Sequence, residues 1–174
     1  MMRCFFILIL LTTLSGSIVA QTDPEFPPGF IMHLKVHDGM STSFRNSNDL
    51  FIGGLQLVPQ VTAIPNLLRA GIIADGFYTN KNLQAAFGPT ISVKLKTFQA
   101  GVFGSAGNLH LSVDHLWGTK HQRLIGGGIN ADLGNLLVFG ISAHRDYRLE
   151  NWWFQNSLGI RISKKPIVKE PFNQ

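Results

Sequence analysis

The sequence predicts an all-β protein: an eight-stranded antiparallel up-and-down β-barrel that follows a cleaved signal peptide and spans a membrane. Three observations predict it. Eight stretches of the chain alternate apolar and polar residues, as strands with two unlike faces do. No window of useful length after Ala20 carries the apolar period of a helix. Gly, Asn and Pro collect at the joints between the alternating stretches, as tight turns require.

Composition narrows the class further. Of 174 residues, 14% are charged, 45% are hydrophobic and 18 are glycine. The charged fraction lies well below the roughly 25% of soluble globular domains. The apolar content excludes a disordered tail protein. Cys4 is the only cysteine, which excludes a disulfide scaffold. The formal net charge is +5, one unit of it from Arg3. The basic residues are dispersed along the chain, so a nucleic-acid partner is not expected.

The chain opens with an address signal. Arg3 precedes an apolar run from Cys4 to Leu11, a polar stretch from Thr12 to Ser17, and then Ile18, Val19 and Ala20. A basic start, a short apolar centre and a small residue before the cut make a secretory signal. The run is shorter than the roughly 20 residues of a bilayer-spanning helix. The expected organisation is a signal peptide at 1–20, a Pro-rich linker at 21–29 (Pro24, Pro27, Pro28), a barrel at 30–163 and a tail at 164–174.

The strands follow in order. Phe30, Met32, Leu34 and Val36 alternate with Ile31, His33, Lys35 and His37. The second stretch runs from Leu50 to Thr62, the third from Leu67 to Tyr78. The fourth sets Leu83, Ala85, Phe87, Ile91, Val93 and Leu95 against Gln84, Thr90, Ser92, Lys94 and Lys96. The fifth sets Leu109, Leu111 and Val113 against His110, Ser112 and Asp114. The sixth spans Ile125–Leu133, the seventh Leu137–Asp146 and the eighth Trp152–Ile162. Pro59 and Pro89 fall inside strands, where each deletes a ladder donor; either local bulges or strand boundaries displaced by a few residues are expected there.

Two barrels fit such two-faced strands. A soluble lipocalin-like carrier turns the apolar face inward; a membrane barrel turns it to lipid and fills the lumen with polar side chains. The polar faces are rich in Gly, Ser, Thr, Asn and Gln and poor in the Lys and Glu of a wetted surface. Tyr78 and Trp117 end the third and fifth strands, Tyr147 ends the seventh and Trp152 begins the eighth. In a meander these four ends share one rim, and all four residues fall on the apolar face, as an aromatic girdle does at a membrane interface. Both features favour the membrane. The expected lumen network is His33, Lys35, Arg69, Asp75, Lys94, Lys96, Asp114, Asp132 and Arg161, with both signs present so that buried charges can pair.

This layout, from about Phe30 to Ser163, resembles the small eight-stranded outer-membrane barrels of the OmpA and OmpX type. The resemblance rests on architecture rather than on a motif. It implies an outer-membrane location in a Gram-negative bacterium, outer-membrane lipids including lipopolysaccharide as neighbours, and no cofactor. The Gln21 start after Ala20 is similar to secreted Bacteroidota proteins. Barrels of this type end the last strand on an aromatic residue; here Ile162 ends it and Phe172 lies near the end of the tail.

Eight strands leave a lumen just wide enough for side chains, so a general diffusion pore is not expected. A structural or interaction role without enzymatic activity leads. Ser142, His144 and Asp146 share a face near the rim, and small outer-membrane lipid-A deacylases place Ser, His and acidic residues there. Alternate strand residues lie about 6–7 Å apart, however, beyond the hydrogen-bond reach of a working triad. His33 and His37 are too far apart to share a metal. Asp114, His115 and His121 lack the closely spaced ligand set of a metal site, and none is assigned. Gly126-Gly127-Gly128 lacks the Lys and helix of a phosphate loop and reads as close backbone approach.

A signal-led barrel with an even strand count places both termini in the periplasm. The aromatic rim then faces outward with the loops Ser41–Asp49, Thr79–Asn82, Gly118–Gln122 and Arg148–Asn151. These carry Arg45, Lys81, Lys120, His121 and Arg148, a basic mouth suited to an anionic lipid headgroup.

Overall fold

The computed structural model describes residues 29–44, 49–100, 105–133 and 136–163. The signal segment, most of the Pro-rich linker, Arg45 and the tail lie outside the described residues. Eight strands close into one antiparallel barrel: β1 (Phe30–Thr42), β2 (Leu50–Ile64), β3 (Leu68–Thr79), β4 (Asn82–Ala100), β5 (Ser105–Gly118), β6 (Arg123–Leu133), β7 (Leu137–Asp146) and β8 (Asn151–Ser163). Each strand pairs with its sequence neighbours, and β1 pairs with β8 to close the wall, for example Leu34 opposite Ile160. Closure removes every free strand edge.

Strand alternation sorts the side chains into two environments. Outside stand Val36, Ile72, Leu83, Val113, Ile129, Ile141 and their like; Leu83 is 80% and Ile141 69% exposed. Inside stand most of the strands' charged and amide side chains; Arg69 is 0% and Asp132 1% exposed. The usual partition of a soluble protein is inverted.

The strands run longer than periodicity alone indicated. β1 continues through Asp38 to Thr42, and β5 begins at Ser105 rather than Leu109. The reason is pairing: backbone hydrogen bonds extend a strand through residues whose side chains break the apolar rhythm.

The two interior prolines produce no bulge. Pro59 lies opposite Met32 on β1. On the β3 side the ladder reads Leu57 to Ala74 and resumes at Gln60 to Gly71 in the same register. Pro89 lies opposite Ile72, and the β5 ladder passes from Phe87–Trp117 to Thr90–Asp114 unshifted. Each proline interrupts the ladder on one side only, over two residue pairings, because a strand residue directs its N–H to a single neighbour. The register shifts fall elsewhere, between Thr62 and Ile64 on β2 and between Lys94 and Lys96 on β4.

The second shift has a consequence for the lumen. Lys94 lies opposite the inward His110, but Lys96 lies opposite Leu109. Leu95 is the extra residue, and it reverses the parity beyond it. Lys96 is therefore exposed and not part of the network expected of it.

The β3–β4 connection is the tightest. Asn80 (φ 46°) and Lys81 (φ 61°) are both left-handed between the paired Thr79 and Asn82, the geometry of a type I′ hairpin. In β6 the triple glycine is a place of close approach. A side chain on Gly126 would meet the Ala143 carbonyl, and one on Gly127 the Ser112 carbonyl.

Candidate functional site

The interior is built in three layers. At the end where β1 begins, Asp132 on β6 collects the cations. Its Oδ2 accepts Arg161 Nη1 at 3.2 Å and lies 3.5 Å from Arg69 Nη1. His110 Nδ1 stands 3.9 Å from Oδ1, and the His110 and His33 rings stack at 6.3 Å. One carboxylate between two guanidiniums offsets part of the cost of removing charge from water.

The middle layer is a hydrogen-bonded web. Lys35 Nζ donates to Asn130 Oδ1 at 2.8 Å, Asn130 Nδ2 to Ser112 Oγ at 3.3 Å, and Ser112 Oγ to the Gly128 carbonyl at 3.3 Å. His37 Nε2 lies 2.8 Å from Asp75 Oδ1, and Gln155 Nε2 lies 3.3 Å from His37 Nδ1. An amide nitrogen can only donate, so His37 Nδ1 accepts from Gln155 and the ring's Nε2–H donates to Asp75. Gln155 Oε1 in turn accepts Ser142 Oγ at 3.5 Å. His144 Nε2 pairs with Asp114 Oδ2 at 3.2 Å. Gln60 Nε2 donates to Ser92 Oγ at 3.0 Å.

Toward the aromatic rim the lumen turns apolar. Ile52, Phe77, Ala86, Leu116, Leu124 and Trp153 form a buried cluster that extends to Val58 and Ile73. Phe77 and Trp153 meet edge to face at 5.2 Å, a favoured aromatic geometry. Beneath this plug, the space within the polar layer is only about 30 Å³, room for one or two waters and not for a solute stream.

Of the sequence-predicted lumen residues, His33, Lys35, Arg69, Asp75, Asp114, Asp132 and Arg161 are buried inside. Lys94 is half-buried and Lys96 is outside. Sequence reasoning left out His37, His110, Asn130 and Gln155, which share the inward parity and complete the web. It also missed the plug, because Ile52, Phe77, Leu116 and Trp153 are apolar residues on what reads as the polar face.

Ser142, His144 and Asp146 are not brought together. Among the described residues, Ser142 bonds Gln155 and His144 bonds Asp114. Asp146 Oδ1 is occupied by the backbone N–H groups of Arg123 (3.2 Å), Arg148 (3.0 Å) and Leu149 (3.0 Å). Asp146 is a loop cap, and among the described residues the Ser142 hydroxyl is bonded to an amide rather than to a base. His115 faces outward while Asp114 faces in. Among the described residues no three His, Cys, Asp or Glu side chains group around a metal-sized space.

The four rim aromatics lie on the outer wall, with Tyr78 and Tyr147 each 51% exposed. Trp117 packs against Phe87 (5.8 Å) and His115 (4.7 Å). His115 Nε2 lies 3.2 Å from Tyr147 Oη. Trp152 stacks on Phe154 at 6.2 Å, and the Arg145 guanidinium lies over its ring at 5.5 Å, within cation–π range.

The geometry defines a closed eight-stranded antiparallel barrel with a polar, plugged interior and an apolar exterior. Among solved structures it is similar to a designed protein described as "De novo design of transmembrane beta-barrels", with a TM-score of 0.51 and 14% identity over 79% of this chain and 99% of that one. That likeness is one of fold. No family model matches the chain, and no curated protein matches it.

Proposed function

We propose that this protein is an outer-membrane β-barrel with a structural or interaction role, exported by its first twenty residues and closed to general diffusion. The observation that carries the reading is the inverted wall. Large apolar side chains cover the outside while Lys35, Arg69 and Asp132 are buried within. In water that exterior would be a continuous apolar surface far beyond what soluble monomers expose; in lipid it is the expected one. A lipocalin-like carrier would need the opposite partition. The aromatic rim supports the same reading, since ring and polar tip suit an interface. The basic loop residues Lys81, Lys120 and Arg148 favour an anionic lipid headgroup such as that of lipopolysaccharide beside the outer mouth.

Fractionation tests this. The protein should remain in alkali-washed membranes and migrate differently on a gel before and after boiling. Recovery in the soluble fraction without detergent would overturn the proposal. Cysteine placed at Lys81 or Lys120 should label with an impermeant reagent on intact cells, and cysteine at Lys169 should not. The reverse pattern would invert the topology.

A further inference from the structure

The aromatic end of the barrel holds an open basin of about 300 Å³ above the apolar plug. Thr79 at the end of β3, Asn82 and Gln84 at the start of β4, Gln122 before β6 and Asn151 at the start of β8 line it, with Trp153 at its inner end. The amides are held in place: Gln122 Nε2 donates to Gln84 Oε1, and the Lys120 N–H donates to Gln122 Oε1 at 2.9 Å. Beneath the surface, Thr79 Oγ1 and Trp153 Nε1 are buried with no hydrogen-bond partner among the described residues. Such atoms cost free energy when unpaired. Among the described residues, Lys120 is the one cation of the lining, and none of them brings a carboxylate.

We propose that this basin binds a neutral saccharide. Amides and hydroxyls each combine donor and acceptor capacity, which matches vicinal sugar hydroxyls that also do both. Trp153, 4% exposed, closes the floor of the basin, so a bound ring rests on the apolar plug. An anionic ligand would call for convergent cations, and among the described residues of the lining Lys120 stands alone. An apolar ligand would bury the remaining donor and acceptor capacity of these amides without partners. The volume sits at the lower end of small-ligand pockets and suits one or two sugar rings. The sugar can belong to a surface glycolipid or to a free glycan; the recognition chemistry is the same. The inference rests on the mouth facing the cell exterior for its biological source, but the binding itself does not require a membrane.

The test is a titration of the full-length protein, folded in detergent, followed by the indole N–H resonance of Trp153, which Trp153→Phe assigns. Glucose, N-acetylglucosamine or maltose at millimolar concentration should move that resonance saturably. Asn151→Ala combined with Thr79→Val should weaken binding about tenfold; should that double variant not fold, Asn151→Ala alone, at a half-buried position, should weaken it about threefold. Lipopolysaccharide with its core sugars, compared with lipid A alone, separates the sources. A shift from the core-bearing form only assigns a glycolipid, and a shift from free sugars only assigns a soluble glycan; both support the site. No shift with any saccharide, or an equal shift from sodium phosphate or from lipid A alone, overturns it. Because heat-modifiable migration is scored on the same sample, failure of the titration is distinguishable from failure of the membrane reading.

Discussion

Asp132 on β6 accepts the guanidinium of Arg161 on β8 at 3.2 Å across a lumen from which both side chains are excluded from solvent, at 1% and 4% exposure. Arg69 approaches the same oxygen from β3. A single carboxylate thus ties three strands that are not neighbours in the wall.

Removing it should be costly. Asp132→Ala leaves two buried guanidiniums without their shared acceptor, and breaking such a pair costs roughly 3–5 kcal/mol. Urea unfolding in detergent, compared with wild type, should show that loss. A change below about 0.5 kcal/mol would mean that the cluster is hydrated and that the lumen is not sealed at this end.

Asp146 and Ser142 should behave oppositely to a catalytic pair. Asp146→Ala strips the acceptor from three backbone N–H groups and should cost on the order of 1–2 kcal/mol, as loss of a cap does. Ser142→Ala removes one long hydrogen bond to Gln155 and should change stability by about 0.5 kcal/mol or less. Lipid-A acylation in a complemented deletion strain should be unchanged by His144→Ala. A change in acylation would revive the enzymatic reading.

Lys81 sits at φ 61° in the β3–β4 hairpin, where a Cβ is penalised by about 1–2 kcal/mol. Lys81→Gly should raise stability by roughly 0.5–1 kcal/mol after the added unfolded-state entropy, while Lys81→Val should lower it. Equal effects of the two variants in thermal melts would contradict the I′ geometry.

The plug predicts electrical silence. Wild-type protein in planar bilayers should show no stable open level. Trp153→Ala removes the ring that packs on Phe77 and should cost roughly 3–5 kcal/mol. A wild-type conductance of porin size would refute the closed lumen.

The existence of eight strands, their order and the inward or outward sense of most residues were legible in the chain, because a side-chain period of two records two different surroundings directly. Arg69, Asp75, Asp114 and Asp132 lie inside on that ground alone. What alternation cannot carry is a change of phase. Leu95 adds one residue to β4, and only its pairing with β5 reveals that Lys96 has swung out. Pro59 and Pro89 look like breaks in isolation, yet neighbouring strands hold their register on both sides. The partners inside the lumen were equally hidden, since Asp132 and Arg161 are joined by barrel closure and not by spacing along the chain. The apolar plug belongs to the same class. Ile52, Phe77, Leu116 and Trp153 become a seal only when four strand ends converge, because packing is a property of surfaces brought together, whereas periodicity is a property of one strand in its surroundings.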